Sequence, residues 1–148
     1  MHVEHVGGIG IDALGNVSGT VVDSWMHGND QGGARFANSG GGTADSLQWV
    51  GGGFRKNGVA GLILDNGARD MSVQGAYFVE NYGAGIYATT GITLVQQSGF
   101  ENNAGAGAWV GGSSKISVPG GISMSPFKRS SVTPLRETKT SRFTSVRS

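Results

Sequence analysis

The sequence predicts an all-β chain wound as a right-handed parallel β-helix, a β-solenoid of about four to five turns. Three observations carry the prediction. A short motif recurs: an aromatic residue or Met, two residues, Asn, three residues, Gly, then a short apolar strand. The motif returns after 28, 24 and 22 residues, an interval that suits one solenoid turn of two or three short strands. Glycine is abundant, 28 of 148 residues, and these glycines punctuate short strands where a helix would need uninterrupted spacing.

The elements follow in order. Gly8-Ile9-Gly10-Ile11 is the strand half of a partial first copy. Met26, Asn29, Gly33 and the strand Ala34-Arg35-Phe36 make the next. Then come Phe54, Asn57, Gly61 and Leu62-Ile63-Leu64; Phe78, Asn81, Gly85 and Ile86-Tyr87-Ala88; and Phe100, Asn103, Gly107 and Ala108-Trp109-Val110. The longest interval contains Asn38-Ser39-Gly40-Gly41-Gly42-Thr43, which reads as an inserted loop. The period is too short for a propeller blade, lacks the helical spacing of leucine-rich or ankyrin-type repeats, and shows no hexapeptide run of the left-handed kind.

Stacking gives each slot a physical role. Strands of successive turns pair in parallel about 4.7–4.9 Å apart, so each residue sits on its equivalent in the next turn. Phe54, Phe78 and Phe100 are expected to stack as an internal column. Asn29, Asn57, Asn81 and Asn103 are expected to form an amide ladder at a turn, where Asn also tolerates the left-handed conformation. The glycines of the motif are expected to supply positive φ.

The pattern in Phe78–Ala88 and Phe100–Val110 resembles the parallel β-helix repeat of the pectate-lyase-like superfamily, which includes polysaccharide lyases, β-helical glycoside hydrolases, uronan epimerases and phage tailspikes. The resemblance covers roughly residues 8–112. It implies the fold, a carbohydrate-related role and an extracellular or virion-associated setting. No catalytic motif of a member is matched. The tailspike-like members also imply a homo-oligomer, a trimer packed side by side.

Alternation then sorts the strand after each motif glycine. Ala34/Phe36, Leu62/Leu64, Ile86/Ala88 and Ala108/Val110 should point inward, and Arg35, Ile63, Tyr87 and Trp109 outward. The next outward column reads Asp12, Ala37, Asp65, Thr89, Gly111. Arg35, Tyr87 and Trp109 are therefore the expected substrate-binding residues, because aromatic faces stack on pyranose rings while guanidinium and carboxylate groups bond hydroxyls or uronates. The same sticky column also suits an interface with another chain. Asp12 and Asp65, two turns apart, would lie roughly 9–10 Å from one another. Inverting glycosidases hold their carboxyl pair about 6.5–9.5 Å apart, so this pair is the catalytic candidate. Glu80 falls beside Lys56 across a turn, and Glu101 joins the column of Arg55 and Val79; both read as surface ion pairing. Trp25 and Trp49 read as core or rim packing.

Composition bounds the rest. Residues 1–112 hold four Lys/Arg against nine Asp/Glu, a net −5, with 26 of the glycines and no proline. Residues 113–148 hold seven Lys/Arg against one Glu, a net +6, with all three prolines and 14 Ser/Thr. The chain thus divides into β-helix repeats over 1–112 and a basic Ser/Thr-rich tail over 113–148, expected to be disordered or peripheral. Its Phe127-Lys128-Arg129 and Arg142-Phe143 pairs could meet nucleic acid, but a solvated tail is the simpler reading. The absence of cysteine excludes disulfides and thiolate metal sites. No apolar run is long enough for a membrane span, and Met1–His5 has no apolar leader. The first turn begins in mid-pattern without an amphipathic cap, so the chain is expected to be a piece of a longer solenoid or to rely on a partner.

Two letter matches fail on context. Gly8-Ile9-Gly10-Ile11-Asp12-Ala13 is not followed by the helix a dinucleotide site requires. Gly7–Leu14 matches a single calcium-binding nonapeptide, but Ca²⁺ sites of that type need tandem copies. His2, Glu4 and His5 lack a fourth ligand, so no metal and no cofactor is expected. The two functional readings are a polysaccharide-engaging β-helix, binding or cleaving an acidic glycan, and a non-catalytic structural or adhesive β-helix such as a spike shaft.

Overall fold

A computed structural model of the chain describes residues 1–38, 44–111, 115–117, 119 and 123–124. Its strands follow one another in repeating sets of three. The first turn holds β1 (His2–Glu4), β2 (Ile9–Leu14) and β3 (Val17–Val22). The second holds β4 (Trp25–His27), β5 (Gly32–Ala37) and β6 (Ala44–Val50), and the third β7 (Gly53–Arg55), β8 (Ala60–Asp65) and β9 (Met71–Gln74). The fourth holds β10 (Tyr77–Val79), β11 (Ala84–Ala88) and β12 (Ile92–Gln96), and the fifth β13 (Gly99–Glu101), β14 (Ala108–Val110) and β15 (Lys115–Ser117). Strand β16 (Ser123–Met124) opens a further turn.

Each strand pairs in parallel with its equivalent one turn on. Three sheets result: sheet A, β1-β4-β7-β10-β13-β16; sheet B, β2-β5-β8-β11-β14; and sheet C, β3-β6-β9-β12-β15. The protein is a parallel β-solenoid, and no α-helix occurs among the described residues. Pairing also runs past the change in composition at residue 113: Thr93 faces Ile116, and Phe100 faces Met124. The rest of the basic tail and loop residues 39–43 lie outside the described residues.

The middle residue of each sheet A strand points inward. Register stacks Val3, Met26, Phe54, Phe78 and Phe100 in one column. The rings of Phe54 and Phe78 lie 4.9 Å apart and 9° from parallel, and those of Phe78 and Phe100 4.8 Å and 8°. The solenoid step alone sets that spacing. Trp49 of sheet C packs on Phe54 at 4.5 Å and is fully buried, its indole N–H donating to Gly51 O at 2.9 Å.

The Asn ladder forms between sheets A and B. Each buried amide donates one Nδ2 proton to the next amide's Oδ1, at 3.0, 3.0 and 2.8 Å along Asn29, Asn57, Asn81 and Asn103. From Asn57 onward the second proton goes back to the carbonyl of the aromatic slot one turn earlier: Met26, Phe54 and Phe78. Each Oδ1 of Asn57, Asn81 and Asn103 also accepts the backbone N–H of the preceding Asn. Asn57 and Asn81 thus use every donor and acceptor of their side chains, which is what removes the cost of burying an amide.

Two backbone expectations need correction. The ladder Asn residues do not adopt the left-handed conformation. It falls one position earlier, at His5 (φ 54), Gly28 (φ 63), Lys56 (φ 54), Glu80 (φ 53) and Asn102 (φ 50). The motif glycines Gly33, Gly61 and Gly85 do not have positive φ either. They are needed for space: a Cβ on Gly61 would stand 2.7 Å from Phe54 Cβ, and one on Gly33 2.7 Å from Phe54 Cδ1. The chain turns here directly over the aromatic column, and only a residue without a side chain fits.

Candidate functional site

The outer face of sheet B carries the residues that alternation selected, in a modified register. Asp12 pairs with Arg35, Arg35 with Ile63, Ile63 with Tyr87, and Tyr87 with Trp109. Asp12 therefore heads the Arg35 column, and the neighbouring column runs Leu14, Ala37, Asp65. The sequence alignment had set Asp12 two residues out. A two-residue slip keeps every side chain on its own face, so alternation could not detect it. Asp12 and Asp65 thus stand two turns apart and two residues displaced along the strand. That is roughly 12 Å between backbones, longer than the straight two-turn step. Asp12 is also occupied: Arg35 Nε and Nη2 each donate to its carboxylate at 2.8 Å.

The aromatics of this face are also engaged. Tyr87 and Trp109 stack at 4.5 Å and 8°. The other side of Tyr87 packs against a small outer cluster of Ala60, Ile63 and Ala84. Sugar stacking needs a free ring face: Tyr87 is covered on both sides, while Trp109 has one face on Tyr87 and is 42% exposed.

Sheet A offers an outer surface that the sequence reading passed over. With the middle residue inward, the first and third residues of each strand face out. The first-residue column is His2, Trp25, Gly53, Tyr77, Gly99. Aromatic and glycine alternate along it after His2, and the rings lean over the glycines. The Cβ position of Gly53 is 3.0 Å from Trp25 Cζ3, and that of Gly99 is 3.0 and 3.3 Å from Tyr77 Cδ1 and Cε1. Trp25 is 39% exposed and Tyr77 55%. These rings lie down along the sheet with no aromatic partner on their outer side among the described residues. The flanking column is polar for most of its length: Glu4, His27, Arg55, Val79, Glu101. The signal that could have found this surface is the aromatic–glycine alternation at positions 25, 53, 77 and 99, one residue before each core slot.

The cations beside this strip, Arg55 and Lys56, are neutralised, as are Arg35 and Arg69 elsewhere on the solenoid. Arg55 Nη2 lies 3.0 Å from Glu80 Oε2, and Lys56 Nζ lies 3.8 Å from the same atom. Arg35 pairs with Asp12 at 2.8 Å, and Arg69 approaches Asp45 at 3.7 Å. These pairs are surface-exposed and contribute little to stability, but they lower the field available to an anionic ligand.

By architecture the chain is a repeat protein of the parallel β-solenoid class, with an aromatic strip along one outer face. Comparison with protein-family models, curated proteins and solved structures found no match to this chain.

Proposed function

We propose that this chain is a polysaccharide-binding β-solenoid that holds an extended glycan along the outer face of sheet A. The observation that supports it is the column Trp25-Gly53-Tyr77-Gly99, in which each ring leans across a glycine and keeps an outer face free. Trp25 and Tyr77 are two strands apart, about 9.6 Å. That spacing suits alternate pyranose rings of an extended chain, with His27, Arg55, Glu80 and Glu101 beside the strip to bond hydroxyls. The paired state of Arg55 and Lys56 favours a neutral glycan over an acidic one. The separated Asp12 and Asp65 favour binding without cleavage, the role of an adhesive or anchoring module.

The test is binding to a panel of neutral and acidic polysaccharides by affinity electrophoresis, with reducing-end release measured in parallel. Trp25→Ala and Tyr77→Ala should each weaken binding about tenfold, roughly 1.4 kcal/mol for a lost stacking surface. Trp109→Ala should leave it within about twofold on the same scale. Loss of binding in Trp109→Ala with full retention in Trp25→Ala would move the site to sheet B. No binding to any glycan of the panel would refute the proposal, and turnover abolished by Asp65→Asn would refute its non-catalytic part.

A further inference from the structure

The first two strands of sheet A assemble a set of donor atoms that neither carries alone. Glu4 and His27 are direct partners in the β1–β4 register. His2 precedes Glu4 by two residues and shares its outer face, while Val3 between them packs on the core. The ligand atoms of His2, Glu4 and His27 all lie within 4.8 Å of one another. Glu4 Oε2 stands 3.6 Å from His2 Nε2 and 3.7 Å from His27 Nδ1. These separations are too long for hydrogen bonds. They approach the roughly 3.3 Å between two donors on one tetrahedral ion with bonds of about 2.0–2.1 Å. A small rotamer change would close the difference, and the backbone beneath is fixed: Trp25 N–H donates to Met1 O at 2.9 Å and His5 N–H to His27 O at 3.0 Å.

A fourth donor stands beside the set. His5 Nδ1 is 3.9 Å from Glu4 Oε2, and its ring meets that of His27 edge-on at 5.4 Å. The left-handed turn at His5 aims the imidazole over Gly28, where an added Cβ would come within 3.2 Å of it.

We propose that His2, Glu4 and His27 bind one divalent transition-metal ion of the zinc, nickel or copper class, with His5 as an auxiliary donor. Two imidazoles and one carboxylate suit these borderline ions, whereas calcium and magnesium require sets rich in oxygen. The next residue of the column, Arg55, directs its charge at Glu80 and so opposes the cation less.

The experiment is calorimetric titration of the full chain with ZnCl2, repeated with NiCl2, on the wild type and on His27→Ala, His2→Ala and His5→Ala. One ion per chain is expected. His27→Ala and His2→Ala should each weaken binding about tenfold or more, and His5→Ala less. His27 is the discriminating position, because His2, Glu4 and His5 lie within one short segment that could bind metal without the fold. Wild-type affinity retained in His27→Ala would overturn the site, as would absence of saturable binding by the wild type. His27 is partly exposed and its side chain meets Glu4 and the His5 ring, so its alanine variant should keep the wild-type circular dichroism spectrum. If it does not, the longer His27→Gln, which keeps side-chain bulk but loses the imidazole, takes its place with the same expected loss.

Discussion

Asn81→Ala takes four hydrogen bonds out of the middle of the amide ladder. Asn81 Oδ1 accepts from Asn57 N at 3.1 Å and Asn57 Nδ2 at 3.0 Å, and Asn81 Nδ2 donates to Asn103 Oδ1 at 2.8 Å and Phe54 O at 3.1 Å. All three amides are buried, Asn57 fully. A net contribution of about 0.5–1.5 kcal/mol each gives a loss of roughly 2–6 kcal/mol. A water admitted to the vacated space restores part of this and sets the lower end, while the unmatched Asn57 N–H sets the upper. Against a usual stability of about 5–15 kcal/mol, the variant should be close to unfolding. Urea denaturation followed by far-UV circular dichroism is the assay, with the midpoint falling at unchanged slope. Asn81→Asp refines it. A carboxylate has the shape of the amide and no proton to give, so at neutral pH it faces two acceptors, Asn103 Oδ1 and Phe54 O. Burial and those acceptors raise the folded-state pKa of such a carboxyl above its unfolded value. Its penalty is therefore greatest at high pH and is relieved as pH falls through the raised value. A loss below about 1 kcal/mol in Asn81→Ala, or an Asp variant more stable at neutral than at acid pH, would refute the ladder as the holding element.

Further outcomes follow from the packing. Gly61→Ala should destabilise by about 1–3 kcal/mol or more through collision with Phe54 Cβ, read in the same urea titration. Phe78→Ala should cost about 3–5 kcal/mol, because that ring is stacked on both sides. Thr93→Val should stabilise by about 1 kcal/mol, since the buried Thr93 Oγ1 has no hydrogen-bond partner among the described residues and its neighbours include Met71 and Ile116; a rise in melting temperature checks it. Asp12→Asn should change stability by no more than about 1 kcal/mol, because its pair with Arg35 is exposed.

The architecture was legible because a solenoid repeats its physics at a fixed interval. Met26, Phe54, Phe78 and Phe100 occupy one column, and Asn29, Asn57, Asn81 and Asn103 one ladder, so the slots could be aligned without any knowledge of the fold. The surface was less legible. Asp12 belonged to a copy without the Asn and Gly markers, and a two-residue slip left its face unchanged while moving it a column away.

The sequence by itself determined the period, the inward column and the amide ladder, since each needs only that equivalent residues stack about 4.8 Å apart. It could not decide what lies between columns. That Gly33, Gly61 and Gly85 answer to the carbonyl of the next turn and the Phe column, and not to φ, depends on how near the turn passes to its neighbours. That Tyr87 and Trp109 stack on one another, while Trp25 and Tyr77 lie apart over glycine, depends on which way each ring leans. That His27 joins His2 and Glu4 depends on a cross-strand register between residues 23 apart in the chain. Side-chain direction and register are set by the packed chain as a whole, and no local stretch of sequence contains them.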